Sequence, residues 1–188
     1  MTLEQLARQG RRQASMTTAM TVTSMMHQIR KESIKQAFSD FENVRYRYEL
    51  VNVIGGVSYY DDSAARSNEA TWFSFDNLGE NVVWITYADN IDCDELIPQV
   101  KKYVKAVICL GNRKERFHSV YDNILKDNIV DCDNIDDAVR KASKMAVDGD
   151  SVMFSPACNV NDGFVCFNER GDYFKQCVKS LMKTYEDF

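Results

Sequence analysis

Three short runs in this chain are almost wholly apolar: Val82-Val83-Trp84-Ile85-Thr86, Ala106-Val107-Ile108-Cys109-Leu110 and Ser151-Val152-Met153-Phe154. A strand with one wet face alternates apolar and polar side chains, whereas a run without alternation needs cover on both faces, as in a parallel sheet. The intervening segments supply that cover: Glu69 to Leu78, Asp94 to Tyr103, Lys114 to Lys126 and Ile135 to Ala146 read as crossover helices, and Arg170 to Thr184 as a closing one. Ahead of them, Leu50-Val51-Asn52-Val53-Ile54 and Val57-Ser58-Tyr59-Tyr60 flank Gly55-Gly56, the signature of a hairpin on a two-residue turn. The expected class is α/β, a Rossmann-like, doubly wound, mostly parallel sheet with flanking helices, preceded by an N-terminal helical segment.

That first segment carries Leu3 and Leu6, then Met16, Ala19, Met20, Val22, Met26 and Ile29, and finally Ile34, Ala37, Phe38 and Phe41, largely at three- and four-residue steps. Core packing is the plain reading of this methionine-rich stripe; an adaptable docking face for another chain is the alternative.

Composition narrows the function. At 188 residues one domain is the default, and 45% hydrophobic content with only 2 prolines fits a compact chain rather than a disordered one. The formal charge of -5 is spread along the sequence, which argues against nucleic acid as a partner. No apolar run approaches the roughly 20 residues that span a bilayer, and MTLEQLARQG lacks a signal peptide's apolar core. A cytoplasmic protein without a membrane partner is expected. The 6 cysteines (Cys93, Cys109, Cys132, Cys158, Cys166, Cys177) form no C-x-x-C pair, and His27 and His118 give no zinc-ligand spacing. Buried reduced thiols, and no metal site, are expected.

Ligands of doubly wound sheets sit beyond the carboxyl ends of the strands, so the loops after Tyr60, Ile85, Leu110 and Phe154 decide the function. The first of them, YYDDSAARSNEAT from Tyr59 to Thr71, is polar at both ends but has alanine at 64 and 65.

At these loops the chain resembles the Mur ligases, and among them the branch that adds D-glutamate to UDP-N-acetylmuramoyl-L-alanine. The carrying stretches are Arg45-Tyr46-Arg47-Tyr48-Glu49 against His-Arg-x-Glu, Asp61-Asp62-Ser63-Ala64-Ala65-Arg66-Ser67 against Asn-Asp-Ser-Lys-Ala-Thr-Asn, and Ser155-Pro156-Ala157-Cys158 with Phe167-Asn168-Glu169-Arg170-Gly171 against Ser-Pro-Ala-Cys and Phe-x-x-Arg-Gly. The resemblance implies that residues 45–188 form the family's C-terminal domain and that 1–44 correspond to the last helices of its central ATPase domain. In a full ligase this domain closes over ATP and the nucleotide substrate while holding D-glutamate; ATP phosphorylates a carboxylate, and the amine attacks the acyl phosphate.

Several parts implied by the family are missing. No Gly-x-x-x-x-Gly-Lys-Ser/Thr loop exists to surround a nucleotide with backbone donors, and the family's Gly-x-His-Asn-x-x-Asn is reduced to Gly10-Arg11-Arg12-Gln13-Ala14-Ser15-Met16. ATP hydrolysis by this chain alone is therefore not expected; ATP and magnesium enter only with a separate ATPase domain. Ala64 stands at the family's lysine, Arg66 at its threonine and Val160 at the serine that contacts D-glutamate, while Trp84 to Asn90 replace a Gly-Gly-x-Asp-Lys-Gly loop. Phe167 matches the family's aromatic, and Tyr46 replaces the histidine beside Arg47.

The residues left as candidates for residual ligand binding are Arg47, Asp62, Ser63, Arg66, Ser155, Phe167 and Arg170, with no catalytic residue among them. For Asp62 and Ser63 the favoured reading is capping of the following helix, with nucleotide contact as the alternative. Ser155-Pro156 reads as a turn that shapes its loop. The expected function is a non-catalytic binding or regulatory relative of the ligase C-terminal domain, linked to peptidoglycan precursor synthesis. A homodimer or a Mur ligase-type chain is the expected partner. The alternative is the acceptor half of a split ATP-dependent amino-acid ligase.

Overall fold

The computed structural model describes residues 45–89, 92–159 and 162–186. The methionine-rich segment over 1–44, His27, Asn90 and Val160 lie outside them. Six strands form one sheet: β1 (Glu49–Ile54), β2 (Val57–Asp61), β3 (Val82–Tyr87), β4 (Val104–Leu110), β5 (Ile129–Asp131) and β6 (Ser151–Phe154), in the spatial order β1-β2-β6-β3-β4-β5. Every neighbouring pair is parallel except β1 and β2, which form the expected antiparallel hairpin. Gly55 and Gly56 have φ of 56° and 77°, the left-handed pair that a two-residue hairpin turn needs to match strand twist.

Among the described residues, five helices cover the sheet: α1 (Asn68–Leu78), α2 (Ile97–Tyr103), α3 (Lys114–Leu125), α4 (Ile135–Met145) and α5 (Phe167–Glu186). Phe75 of α1, Val100 of α2 and Phe117 and Tyr121 of α3 pack with Trp84, Val107 and Met153 on one face. On the other face, Ala138, Val139 and Ala142 of α4 join Phe174 and Val178 of α5 over Ile85, Ile108 and Phe154. Cover on both sides is why β3 and β4 carry no alternation of polarity: all six residues of β3 are buried.

Four readings of the sequence need correction. The strand β5 was not visible, because Ile129 and Val130 are its only apolar residues and a 3-10 turn over Lys126–Asn128 runs straight into it. The helix expected from Asp94 is a 3-10 turn over Cys93–Leu96 followed by α2, which starts afresh with Pro98 in its first turn, where a missing N–H costs nothing. The closing helix begins at Phe167, placing Phe167 and Arg170 on one helical turn. Finally, β3 runs one residue past the apolar run read from the sequence, to Tyr87, so that most of Trp84 to Asn90 is strand and the connection after it starts at Ala88.

The packing yields a direct test. Phe174 is fully buried and stacks on Phe154 with ring centroids 5.0 Å apart, joining α5 to β6. Phe174→Ala should cost about 3–5 kcal/mol of unfolding free energy in urea denaturation. A loss below about 1 kcal/mol would show that α5 is not part of this core.

Candidate functional site

Because β6 lies between β2 and β3, the loops that follow these three strands meet at one edge of the sheet. Asp61 and Ile85 both lie in register with Phe154, so the chain leaves β2, β3 and β6 close to one level. The loop after β3 leads to α2 on one face and that after β6 leads to α5 on the other, which opens the crevice where ligands of such sheets sit.

Asp62 occupies the middle of this edge and is buried. Its Oδ2 accepts hydrogen bonds from Ser74 Oγ of α1 and Ser155 Oγ after β6, each at 2.8 Å, and its Oδ1 accepts from the Tyr48 backbone N–H at 3.2 Å. Burial pushes the carboxyl up to about 7, outweighing the Ser155, Ser74 and Tyr48 hydrogen bonds that favour its charge; Asp61 beside it adds to the rise. Ser155 Oγ is also 2.7 Å from Thr71 Oγ1. The side chain of Asp62 is thus spent inside the protein. Capping of α1 falls instead to Ser67, whose Oγ accepts from Ala70 N at 3.4 Å, because the helix begins only at Asn68. The capping role expected for Asp62 and Ser63 is therefore not theirs.

Ser63 donates its backbone N–H to Asp61 Oδ1 at 3.0 Å. Asp61 is fully buried, its carboxyl raised by desolvation, and its Oδ2 lies 3.3 Å from Lys175 Nζ, which also pairs with Glu49. Gly171 lets α5 come this near: a Cβ there would stand 2.4 Å from Ser63 Oγ and 2.7 Å from Asp61 Oδ2. Arg170, one residue earlier, is likewise turned inward. It pairs with Asp162 Oδ2 at 3.2 Å, donates to Ser63 O at 3.3 Å and lies 5.8 Å from the centre of the Tyr87 ring.

Ser155 and Pro156 lie in irregular chain just after β6, fixed through their carbonyls to β3. Trp84 Nε1 donates to Ser155 O at 2.8 Å and Thr86 Oγ1 to Pro156 O at 3.2 Å. Ala64 and Ala65 are buried, with backbone N–H groups donated to Tyr46 O and Asp62 O. Arg47 is half-buried in the segment before β1, where Tyr46 and Tyr48 adopt positive φ. Arg66 alone of the candidate residues is exposed; its guanidinium lies 5.6 Å from the centre of the Phe167 ring.

Two cavities open at this end of the sheet. One, of about 350 Å³, is lined by Arg66, Asn68, Glu69, Asp92, Glu95 and Cys158 among others. The second, of about 430 Å³, lies farther along, between Tyr87, Asp89, Asn112, Asp133, Asp162 and Tyr173. Of the residues picked from the sequence, only Arg66 lines either. Asn68, Asp92 and Glu95 escaped notice because a polar residue at a helix start or an acidic residue on a turn carries no motif. Among the described residues no group of His, Cys, Asp and Glu is arranged to hold a metal ion, and three hydrogen bonds already fall on the Asp62 carboxyl.

No family model matches the sequence. Among curated proteins, the UDP-N-acetylmuramoylalanine–D-glutamate ligase of Christiangramia forsetii is 35% identical over 185 residues, spanning 96% of this chain and 41% of the ligase. The ligase of the same name from Porphyromonas gingivalis is 34% identical over 175 residues, spanning 90% of this chain and 38% of the ligase. The chain is a Mur ligase relative. It matches as a C-terminal Mur ligase-like domain, and spans about two fifths of the length of these relatives. Solved structures share the fold. A domain of a UDP-N-acetylmuramate:L-alanyl-gamma-D-glutamyl-meso-diaminopimelate ligase from Haemophilus ducreyi superposes with a TM-score of 0.50 at 15% identity, covering 74% of this chain and 99% of that domain. The folylpolyglutamate synthase of Mycobacterium tuberculosis, in complex with ADP, gives a TM-score of 0.52 at 12% identity over 72% of this chain and 32% of the synthase. Among the described residues of this Mur ligase relative, no helix is long and apolar enough to cross a membrane.

The raised Asp62 carboxyl sets a pH signature. Between about pH 4 and pH 7 the folded protein holds a proton there that the unfolded chain, with an ordinary aspartate, has released. Stability from this group is therefore lost as pH rises through that window and levels off above it. Relative to Asp62→Asn, the wild type should lose at least about 1 kcal/mol of stability between about pH 5 and pH 8 in urea titrations. Parallel profiles for the two proteins would contradict the assignment.

Proposed function

We propose that this chain is a non-catalytic binding or regulatory relative of the Mur ligase C-terminal domain, acting through protein contacts in the cytoplasm. The observation that carries this reading is the state of Asp62: a carboxylate at the carboxyl edge of the sheet that is buried and bonded to Tyr48, Ser74 and Ser155. Arg170 supports it, since its charge is matched by Asp162 within the domain. A group whose lone pairs or protons are met inside the protein gains little by turning to a nucleotide, because each charged hydrogen bond given up costs about 1.5–3 kcal/mol. The partner is a second copy of the chain or a Mur ligase-type chain, and the setting is peptidoglycan precursor synthesis. Neither nucleic acid nor membrane has a place in this reading, and the chain alone needs no cofactor.

One observation favours a second reading, the acceptor half of a split ATP-dependent amino-acid ligase. Arg66 is exposed at an open cavity beside the amino end of α1, where a small carboxylate would find a cation and a helix dipole together. In that case ATP and magnesium come with the separate ATPase chain.

Calorimetric titration with ATP–magnesium, UDP-N-acetylmuramoyl-L-alanine and D-glutamate separates the two readings, with light scattering run alongside for mass. Silence from all three ligands and a mass above that of the monomer are expected. Saturable heat from D-glutamate or the nucleotide sugar would replace the first reading with the second.

A further inference from the structure

His118 of α3 has a carboxylate at each ring nitrogen. Its Nδ1 lies 2.7 Å from Asp122 Oδ1, one turn on in the same helix, and its Nε2 lies 3.2 Å from Asp131 Oδ1 at the end of β5. A neutral imidazole carries one proton and donates to one of these; the imidazolium donates to both. Partial burial opposes the charge, but the hydrogen bonds to Asp122 and Asp131 outweigh it and raise the group above its ordinary value. The other charged groups on the elements packed against α3 are engaged elsewhere. Arg116 of α3 itself pairs with Asp94 in the turn before α2, Lys102 of α2 donates to Tyr103 and Lys105 of β4 pairs with Asp150. Lys126 and Asp127, in the 3-10 turn between α3 and β5, are exposed.

The strand that His118 reaches is weakly held. β5 is three residues long, lies at the edge of the sheet and pairs with β4 alone. Asp131 is its last residue, and the chain beyond it walls the second cavity: Asp133, Asn134 and Ile135 line that space of about 430 Å³. The other ties of this stretch run from Cys132 N to Cys109 O, from Lys114 Nζ to Cys132 O and from Lys141 Nζ to Asp131 O. None of these uses a group that ordinarily titrates near neutral pH. When His118 gives up a proton, the shorter bond, to Asp122 within the helix, keeps the proton that remains. The Nε2 lone pair then faces the Asp131 carboxylate, and the link to β5 is the one lost. We propose that His118 is a proton-operated strap: charged, it fastens the end of β5 to α3; neutral, it lets that end and the cavity wall beyond it loosen. The strap is fully fastened below about pH 6.5 and is released as pH rises through the higher value of the folded protein. Because both carboxylates are partly exposed, the effect is local and amounts to about a two- to fivefold change in opening. The inference adds a regulatory device to the domain and does not depend on its having a protein partner.

The test is an NMR titration of the His118 ring in the full chain from about pH 5 to pH 9, with amide shifts and amide hydrogen exchange followed in the same samples. Loss of one set of ring signals in His118→Gln assigns His118 against His27. A ring midpoint above about 6.5 is expected, with the amides of Asp131, Cys132 and Asp133 shifting at that same midpoint. Protection of these amides, corrected for the intrinsic pH dependence of exchange, should fall about two- to fivefold across the transition, while that of β3 stays constant. In Asp131→Asn the ring midpoint should drop and the fall in protection should vanish. In Asp122→Asn the midpoint should drop while β5 still follows the ring. His118→Gln should leave thermal unfolding near that of the wild type and remove the pH response of β5. A ring midpoint at or below about 6.5 would overturn the proposal, as would β5 amides that ignore the ring's titration or that keep their response in His118→Gln. The wild-type titration alone decides the matter if a variant fails to fold.

Discussion

A carboxylate buried where four pieces of chain meet organises this domain. Asp62 follows β2 directly and holds the backbone before β1 through Tyr48, the helix α1 through Ser74 and the loop after β6 through Ser155. Removing any one of these donors would leave a buried acceptor short of a partner, a loss of about 1–3 kcal/mol, so the constraint is mutual. Neighbouring pairings extend it. Ser155 is tied to Thr71, Trp84 reaches the Ser155 carbonyl, and Lys175 sits 3.3 Å from Asp61. The loops at the ligand-binding edge of the sheet are in this way held by one another.

That arrangement explains how a ligase-type frame persists beside altered ligand positions. Three polar residues that resemble the family pattern, Asp62, Ser155 and Arg170, have side-chain partners inside the domain, and their retention needs no ligand to account for it. Of the departures from the pattern, Tyr46, Ala64 and Trp84 are packed into the interior, whereas Arg66 is exposed at the cavity. Fold and function separate at this point: the relatives share the sheet and its helices, while chemistry depends on side chains at its edge.

Much of the fold was legible in the sequence because its signals were long. The unalternating runs became β3, β4 and β6, and the double glycine became the hairpin turn. What escaped was short or was decided by tertiary contacts. β5 offers two apolar residues next to a 3-10 turn, too little for a period of two to register. The site was legible only in part. A DDS stretch before a helix is read as a cap by any local rule, yet the cap is Ser67 and the Asp62 carboxylate is drawn towards α1 and the loop after β6. Nor does local sequence announce that Asn68 would spend its nitrogen on Asp92 and Glu95, across the gap between α1 and the turn before α2.

The most direct measurement is a carbon-13 NMR titration of the Asp62 side-chain carboxyl with pH, run with and without ATP–magnesium. An inward-bonded, structural Asp62 titrates with a midpoint near 7 that the nucleotide does not move. A midpoint near an ordinary aspartate's value of about 3.9, shifting when nucleotide is added, would mean that the carboxylate faces a ligand and that the edge of this sheet is a working nucleotide site.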